Sequence, residues 1–252
     1  MSLTQGEIER KLTDQNLDEL LGLWRIEQGP EKLRDLDLMS SAIPFPHDAP
    51  LRVLDLCCGP GDVGRSIHAR YSKSRIDRLD RDIFLISICI GTNRRAGISG
   101  NTFVRDLSDD VWHEDLGRDY DVIATANALH WLGASRLAQI FKEVFRLLRT
   151  GGVFLFAEPA CAEPTFAEGF TAWKSRQPAR YSPENWERFW NRANEILGYD
   201  HTKLLGSRDS HLAVRDSVPV SGWIKFLTDA GFEFIDVLLR DADEVILAAA
   251  KP

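Results

Sequence analysis

Cysteine is scarce in this 252-residue chain: Cys57, Cys58, Cys89 and Cys161 are the four present. They form no C-x-x-C pair and no Cys/His cluster at zinc spacing, so they read as reduced, partly buried thiols, and no metal site is expected. Long apolar runs are missing too. The longest, Ile83 to Ile90, is interrupted by Ser87 and is too short to span a bilayer. The first twenty residues mix acids and bases without the apolar stretch of a secretory signal, so a cytoplasmic location with no membrane partner is expected. Positive charge is in deficit, with 31 Lys plus Arg against 38 Asp plus Glu and a net charge of −7. Counterion-release binding to DNA or RNA needs a basic stripe, which makes nucleic acid a poor partner.

What is present is ordinary globular material, 44% hydrophobic and 27% charged, enough for one large domain or one domain with an insertion. Residues 1–50 read as an N-terminal helical segment. Leu17, Leu20, Leu21 and Trp24 give one amphipathic helix, which either folds over a ligand as a lid or packs against the sheet. LRVLDLCCGPG is a buried strand entering a glycine turn, followed by a helix with Val63, Ile67 and Tyr71 on one face. RIDRL, NTFV, YDVIATA and VFLFAE alternate with helices, the last of which carries Leu137, Ile140, Phe141, Val144 and Leu148. FEFIDVLL and EVILAAA form a closing hairpin. The expected fold is α/β, a doubly wound, mostly parallel seven-stranded sheet with a C-terminal antiparallel hairpin. Residues 51–158 plus 222–252 build it. In residues 159–221 the alternation stops, and the stripes Phe166, Phe170, Trp173 and Trp186, Phe189, Trp190, Ala193, Leu197 indicate an inserted helical cap.

Gly59-Pro60-Gly61-Asp62-Val63-Gly64 matches G-x-G-x-x-G between a strand and a helix, with Asp80 twenty-one positions after Gly59. Alone, that spells a dinucleotide site, and an NAD(P)-dependent oxidoreductase is the alternative it leaves open. Asp55 discriminates. A pyrophosphate would meet its carboxylate at the mouth of the turn, whereas a zwitterionic ligand would bring a cation there. S-adenosylmethionine meets that requirement, its ammonium beside Asp55 and its carboxylate toward the turn amides and helix N-terminus.

With VLDLCCGPGDVG, RLDRD, VRDLSD, YDVIATANALHWL and LLRTGGVFLFAEP in this order, the sequence resembles the class I, Rossmann-like S-adenosylmethionine-dependent methyltransferases of small-molecule type. The resemblance implies that Asp55, Gly59 and Gly61 hold the methionine end and that Asp80 receives the ribose hydroxyls. Arg81 would flank the adenosine, Asp106 and the Leu107 amide would read the adenine edge, and Asn127 would line the cofactor floor. Cys57 stands where the first glycine of the pattern usually sits. S-adenosylhomocysteine would be the product.

Sulfonium methyl transfer needs a positioned acceptor and a dry site more than a strong base. His130 could deprotonate an acceptor or orient a carboxylate; the competing reading is a turn histidine capping backbone. Trp131 beside it is a substrate platform or a packing residue. Motifs for base methylation and the acidic pair of magnesium-dependent enzymes are absent. The Asn-Ala-Leu-His-Trp-Leu turn looks like that of small-acid carboxyl methyltransferases. In the cap, Trp173, Arg180 and Tyr181 could hold an acidic acceptor, or the segment is a solvated charged loop. His201 and His211 read as surface residues. A small-molecule substrate and a monomer or homodimer are expected; a non-catalytic methyltransferase-like binding protein is the non-enzyme alternative.

Overall fold

The computed structural model describes residues 3–29, 31–177, 183–201 and 218–252. Its sheet has the order β3-β2-β1-β4-β5-β7-β6, built from β1 (Arg52–Leu56), β2 (Arg75–Asp80), β3 (Thr102–Val104), β4 (Tyr120–Ala126), β5 (Leu148–Pro159), β6 (Glu233–Asp241) and β7 (Glu244–Ala250). The first five strands pair in parallel, and β7 runs antiparallel to both β5 and β6. The expected closing hairpin is therefore present, turning at Ala242 and Asp243. β5 starts at Leu148, earlier than the Gly151-Gly152 pair suggested, and Leu147 closes the preceding helix.

In β1, β4 and β5 the apolar residues alternate between two cores. Val53, Val122, Val153 and Leu155 face one side, packed with Leu36 and Met39 of α3 (Glu31–Ser41) and with Val63 and Ile67 of α4 (Asp62–Arg70). Leu54, Ile123, Phe154 and Phe156 face the other, against Leu137, Ile140, Phe141 and Val144 of α6 (Ala134–Leu147). Trp223 of α9 (Val220–Ala230) completes that layer. Phe141 meets Phe154 and Phe156 edge-on, each ring centre 5.5 Å away; burying one such ring contributes about 1.5–3 kcal/mol. Covering both faces is what a parallel sheet of apolar strands requires.

The N-terminal segment holds three helices where one was expected: α1 (Gln5–Lys11), α2 (Asp14–Gln28) and α3. Its stop signals were in the sequence. Thr4 and Glu7 form a reciprocal capping box, Thr13 caps α2 through the Asn16 amide at 3.2 Å, and Gly29 at φ +74° ends it. α1 and α2 pack on other helices. Ile8, Leu17 and Leu20 pack with Phe84 and Ile88 of α5 (Ile83–Arg95) and with Phe189, Trp190, Ala193 and Leu197 of α8 (Pro183–Leu197). Trp24 sits 5.1 Å from Phe189 and 6.0 Å from Trp186, ring centre to ring centre. The α8 stripe read from the sequence is thus buried against the N-terminal helices. The stripe on α7 (Ala167–Lys174) and the short turn before it is not: Phe166 is 69% and Trp173 42% exposed. His201, expected at the surface, is buried; its Nε2 lies 2.9 Å from Asp82 Oδ1. His211 lies outside the described residues. Among the described residues, no helix is long and apolar enough to cross a membrane.

Candidate active site

Two non-glycine residues in left-handed backbone mark the carboxyl ends of neighbouring strands: Cys57 at φ +54°, just past β1, and Asn127 at φ +55°, just past β4. Such conformations cost about 1–2 kcal/mol each and persist where surrounding structure fixes them. Between them lies the glycine turn. Gly61 has φ +90°, and a Cβ there would run into Cys89 Sγ. A Cβ on Gly64 would lie 2.8 Å from both Asp55 Oδ2 and Ile76 Cγ2, so the helix start is pressed against the end of β1.

Asp55 uses that closeness. Its Oδ2 accepts the Gly64 amide at 2.9 Å, satisfying one of the orphan donors in the first turn of α4. Its Oδ1 is buried with no hydrogen-bond partner among the described residues. Burial pushes the Asp55 carboxyl up to about 7, against the pull of the Gly64 amide. A carboxylate with one buried oxygen unanswered is matched by a cationic donor.

Asp80 ties the turn to β2. Its Oδ2 accepts the Gly59 amide and its Oδ1 the Asp82 amide, both at 2.8 Å. Burial raises this carboxyl to about 6. Arg81 Nη1 lies 3.4 Å from Asp106 Oδ2, and Asp106 Oδ1 accepts the Ser108 amide at 2.8 Å. Partial burial works against Asp106, but the Ser108 bonds and Arg81 outweigh it and hold the carboxyl below its usual range. Leu107 is buried, and its carbonyl accepts Arg136 Nε at 2.5 Å. The Cys57 thiol is pushed well up by burial and by the nearby Asp80 carboxylate, so it is an inert filler of the glycine position. Asn127 donates its amide to Ala157 O at 2.8 Å. Cys57, Gly59 and Asp80 are thereby gathered at the ends of β1 and β2, Arg81 and Asp106 beside β2 and β3, and Asn127 at the end of β4.

His130 stands on the short turn after β4, and its partner was not foreseen. Glu158, near the end of β5 and buried, accepts the Ala128, Leu129 and His130 amides at 2.9, 2.8 and 3.2 Å. Its Oε2 also lies 2.8 Å from His130 Nδ1. A carboxylate can only accept, so Nδ1 carries a proton, and in the neutral ring Nε2 is then the atom with the lone pair. The available signal was an acid closing the apolar run VFLFAE, since a charge in such a strand requires several donors. Trp131, 40% exposed, holds its ring centre 4.6 Å from that of His130. Trp173 stands on α7, its ring 5.9 Å from Phe170, and Arg180 and Tyr181 lie outside the described residues. On the helix read as either a lid or a packing element, Trp24 Cζ2 lies 3.8 Å from where a Cβ on Gly59 would stand, so α2 touches the glycine turn while packing on α8.

Comparison with known proteins bears on this geometry. Residues 53–152 match the family model described as "Methyltransferase domain". Malonyl-[acyl-carrier protein] O-methyltransferase of Bacillus cereus is 28% identical over 113 residues, which are 45% of this chain and 39% of that protein. An uncharacterized methyltransferase of Synechocystis is 27% identical over 131 residues, 52% of this chain and 55% of that protein. The chain thus spans about half or less of the length of these curated relatives. Among solved structures, a putative O-methyltransferase from Nostoc punctiforme superposes with a TM-score of 0.59 at 16% identity, covering 88% of this chain and 57% of that one. Residues 53–152 are accordingly similar to a methyltransferase domain, and the seven-stranded sheet that carries them has the fold of the Nostoc structure.

Proposed function

We propose that the chain is an S-adenosylmethionine-dependent methyltransferase acting on a small molecule with a carboxylate or hydroxyl acceptor. One observation carries this reading: at the mouth of the glycine turn Asp55 presents a buried oxygen with no donor. A ligand ammonium would satisfy it. The pyrophosphate of a nicotinamide dinucleotide would bring like charge to a desolvated carboxylate, which disfavours the oxidoreductase reading.

In this assignment Asp55, Gly59 and Gly61 hold the methionine end, with Cys57 in place of a glycine. Asp80 receives the ribose hydroxyls, Arg81, Asp106 and Leu107 serve the adenine side, and Asn127 lines the floor. When bound, the cofactor supplies an electrophilic methyl carbon on a sulfonium. The chain's own part is to place the acceptor, take its proton and exclude water. With a hydroxyl acceptor His130 takes the acceptor's proton at Nε2, its Nδ1 being committed to Glu158; a carboxylate acceptor arrives ionised and needs only to be placed. Trp24 helps keep water from the glycine turn. Trp131 and Trp173 are assigned to the acceptor side; Arg180 and Tyr181, assigned with them from the sequence, lie outside the described residues.

Calorimetric titration tests the assignment. S-adenosylhomocysteine should bind with a 1:1 stoichiometry, while NAD and NADP give no heat. Binding of either dinucleotide without binding of S-adenosylhomocysteine would overturn it.

A further inference from the structure

β1 and β2 pair in parallel with Val53 opposite Ile76 and, two positions on, Asp55 opposite Arg78. Residues two apart on a strand share a face, and adjacent strands lie about 4.8 Å apart. Val53 and Ile76 both pack in the core beneath α4, and a Cβ on Gly64 of that helix would meet Asp55 and Ile76 together. Asp55 and Arg78 therefore emerge side by side on the α4 face of the sheet, at the root of the glycine turn.

Arg78 is 5% exposed. A guanidinium keeps its charge on burial, so it requires acceptors and a counter-charge nearby. Its Nη2 donates to Ile98 O at 3.3 Å, and its Nε has no acceptor among the described residues. The neighbouring acids are engaged elsewhere. Asp77 points to the opposite face, where it accepts the Tyr120 hydroxyl at 2.9 Å beside Arg52 and Arg75. Asp80 gives its two oxygens to the Gly59 and Asp82 amides, and Asp62 is paired with Arg65 at 2.5 Å. Asp55 keeps its Oδ1 buried with no donor among the described residues. A buried cation short of an anion and a buried anion short of a cation thus occupy one register pair.

From α4 Asp55 faces Arg65 and Asp62, from the turn the Cys57 and Cys58 thiols, and from β2 Arg78; β4 places Ala124 opposite it. Burial raises the Asp55 carboxyl, while the Gly64 amide, Arg65 and Arg78 draw it back toward the charged form. Arg65 is shared with Asp62, Pro60 O and Thr92 Oγ1.

We infer that Arg78 is the resident counter-cation of Asp55, a positioning residue that keeps this carboxylate ready for a ligand ammonium. The two side chains make no hydrogen bond, so Arg78 acts through its field and leaves Oδ1 open to a second donor. The ligand rests on the methyltransferase reading above, whereas the pairing of Arg78 with Asp55 belongs to the free chain.

Carboxyl carbon-13 NMR of the full chain follows the titration of Asp55, identified by its loss in Asp55→Asn, in wild type, Arg78→Met and Arg78→Lys. The midpoint should rise by about one pH unit in Arg78→Met and stay within about 0.3 in Arg78→Lys, which keeps the charge. Calorimetric titration of S-adenosylhomocysteine should follow it. Arg78→Met should bind about five- to tenfold more weakly than wild type at pH 6.5 and within about twofold of it at pH 8.5. An Asp55 midpoint unmoved by Arg78→Met overturns the inference, as does an equal loss of affinity at both pH values, the mark of a purely structural role. If the midpoint moves but S-adenosylhomocysteine fails to bind wild type at either pH, the methyltransferase reading falls and the pairing stands. Arg78→Gln, which retains a donor for Ile98 O, replaces Arg78→Met if thermal unfolding shows the latter to be unfolded.

Discussion

His130, on the turn after β4, and Glu158, near the end of the neighbouring parallel strand β5, are joined by a 2.8 Å contact from Nδ1 to Oε2. The same carboxylate gathers three backbone amides of the turn that carries His130. Glu158 therefore acts as the keystone of the post-β4 turn and sets the imidazole tautomer in one arrangement.

Replacing Glu158 with Ala should strand one buried and two partly buried amides, each worth about 1–3 kcal/mol when unsatisfied, and lower stability by about 3 kcal/mol. His130→Ala, which leaves the amides paired, should cost under about 1 kcal/mol. Urea unfolding measures both. With an acceptor in hand, His130→Ala and Glu158→Gln should each lower kcat about a hundredfold with little change in KM. A kcat unaffected by His130→Ala would remove the base from the mechanism.

Asp55 sets a pH dependence whose sign follows from its raised carboxyl. Burial holds it at about 7 in the folded protein, well above the ordinary carboxylate value of 3.8, and Asp80 at about 6. The folded state binds these protons more tightly, so their stabilisation is complete below about pH 4 and is lost as pH rises through 6 to 7. A ligand ammonium reverses the preference, because it requires the ionised Asp55. The affinity for S-adenosylhomocysteine should therefore rise several-fold from pH 5.5 to 7.5 and then level off. Asp55→Asn should bind at least tenfold more weakly and lose the part of this dependence that comes from Asp55.

Cys57 occupies left-handed backbone that glycine adopts without cost and β-branched residues strongly avoid. Cys57→Gly should fold with a stability within about 1 kcal/mol of wild type, the lost strain offsetting the added freedom of the unfolded chain. Cys57→Val should be destabilised by about 2 kcal/mol. Chemical denaturation of the pair reads out the backbone requirement directly.

Asp82 both caps α5 and holds His201. Its Oδ1 accepts the Phe84 and Leu85 amides at 2.8 and 3.2 Å and lies 2.9 Å from His201 Nε2. Asparagine is a good helix cap, so Asp82→Asn isolates the buried pair and should cost about 1–2 kcal/mol. Asp82→Ala loses the cap as well and should cost about 1 kcal/mol more, again by urea unfolding.

The parallel core was readable because its signals are local. Each strand is an apolar run bounded by turn residues, and α6 shows its period in Leu137, Ile140, Phe141 and Val144. Asp55 was readable because it precedes a glycine turn that fixes what lies beside it. Glu158 and His201 were hidden for one shared reason: their environment is supplied by distant segments. Nothing near His201 in sequence shows that Asp82 will face it. The α7 stripe misled in the opposite direction, since aromatic periodicity reports a preference for burial without guaranteeing a partner.

The pairing of Trp24 with Phe189 bears on how the chain emerges from the ribosome. The two rings are 165 positions apart, and synthesis at about 5–20 residues per second separates them by roughly 10–30 s. During that interval the indole face that later rests on α8 has no aromatic neighbour from that helix. The Rossmann-like strands β1 to β5 are complete before α8 is made. Closure over the glycine turn is therefore a late event of long contact order, and an N-terminal fusion that obstructs α2 should impair the last stage of maturation while leaving the sheet assembled.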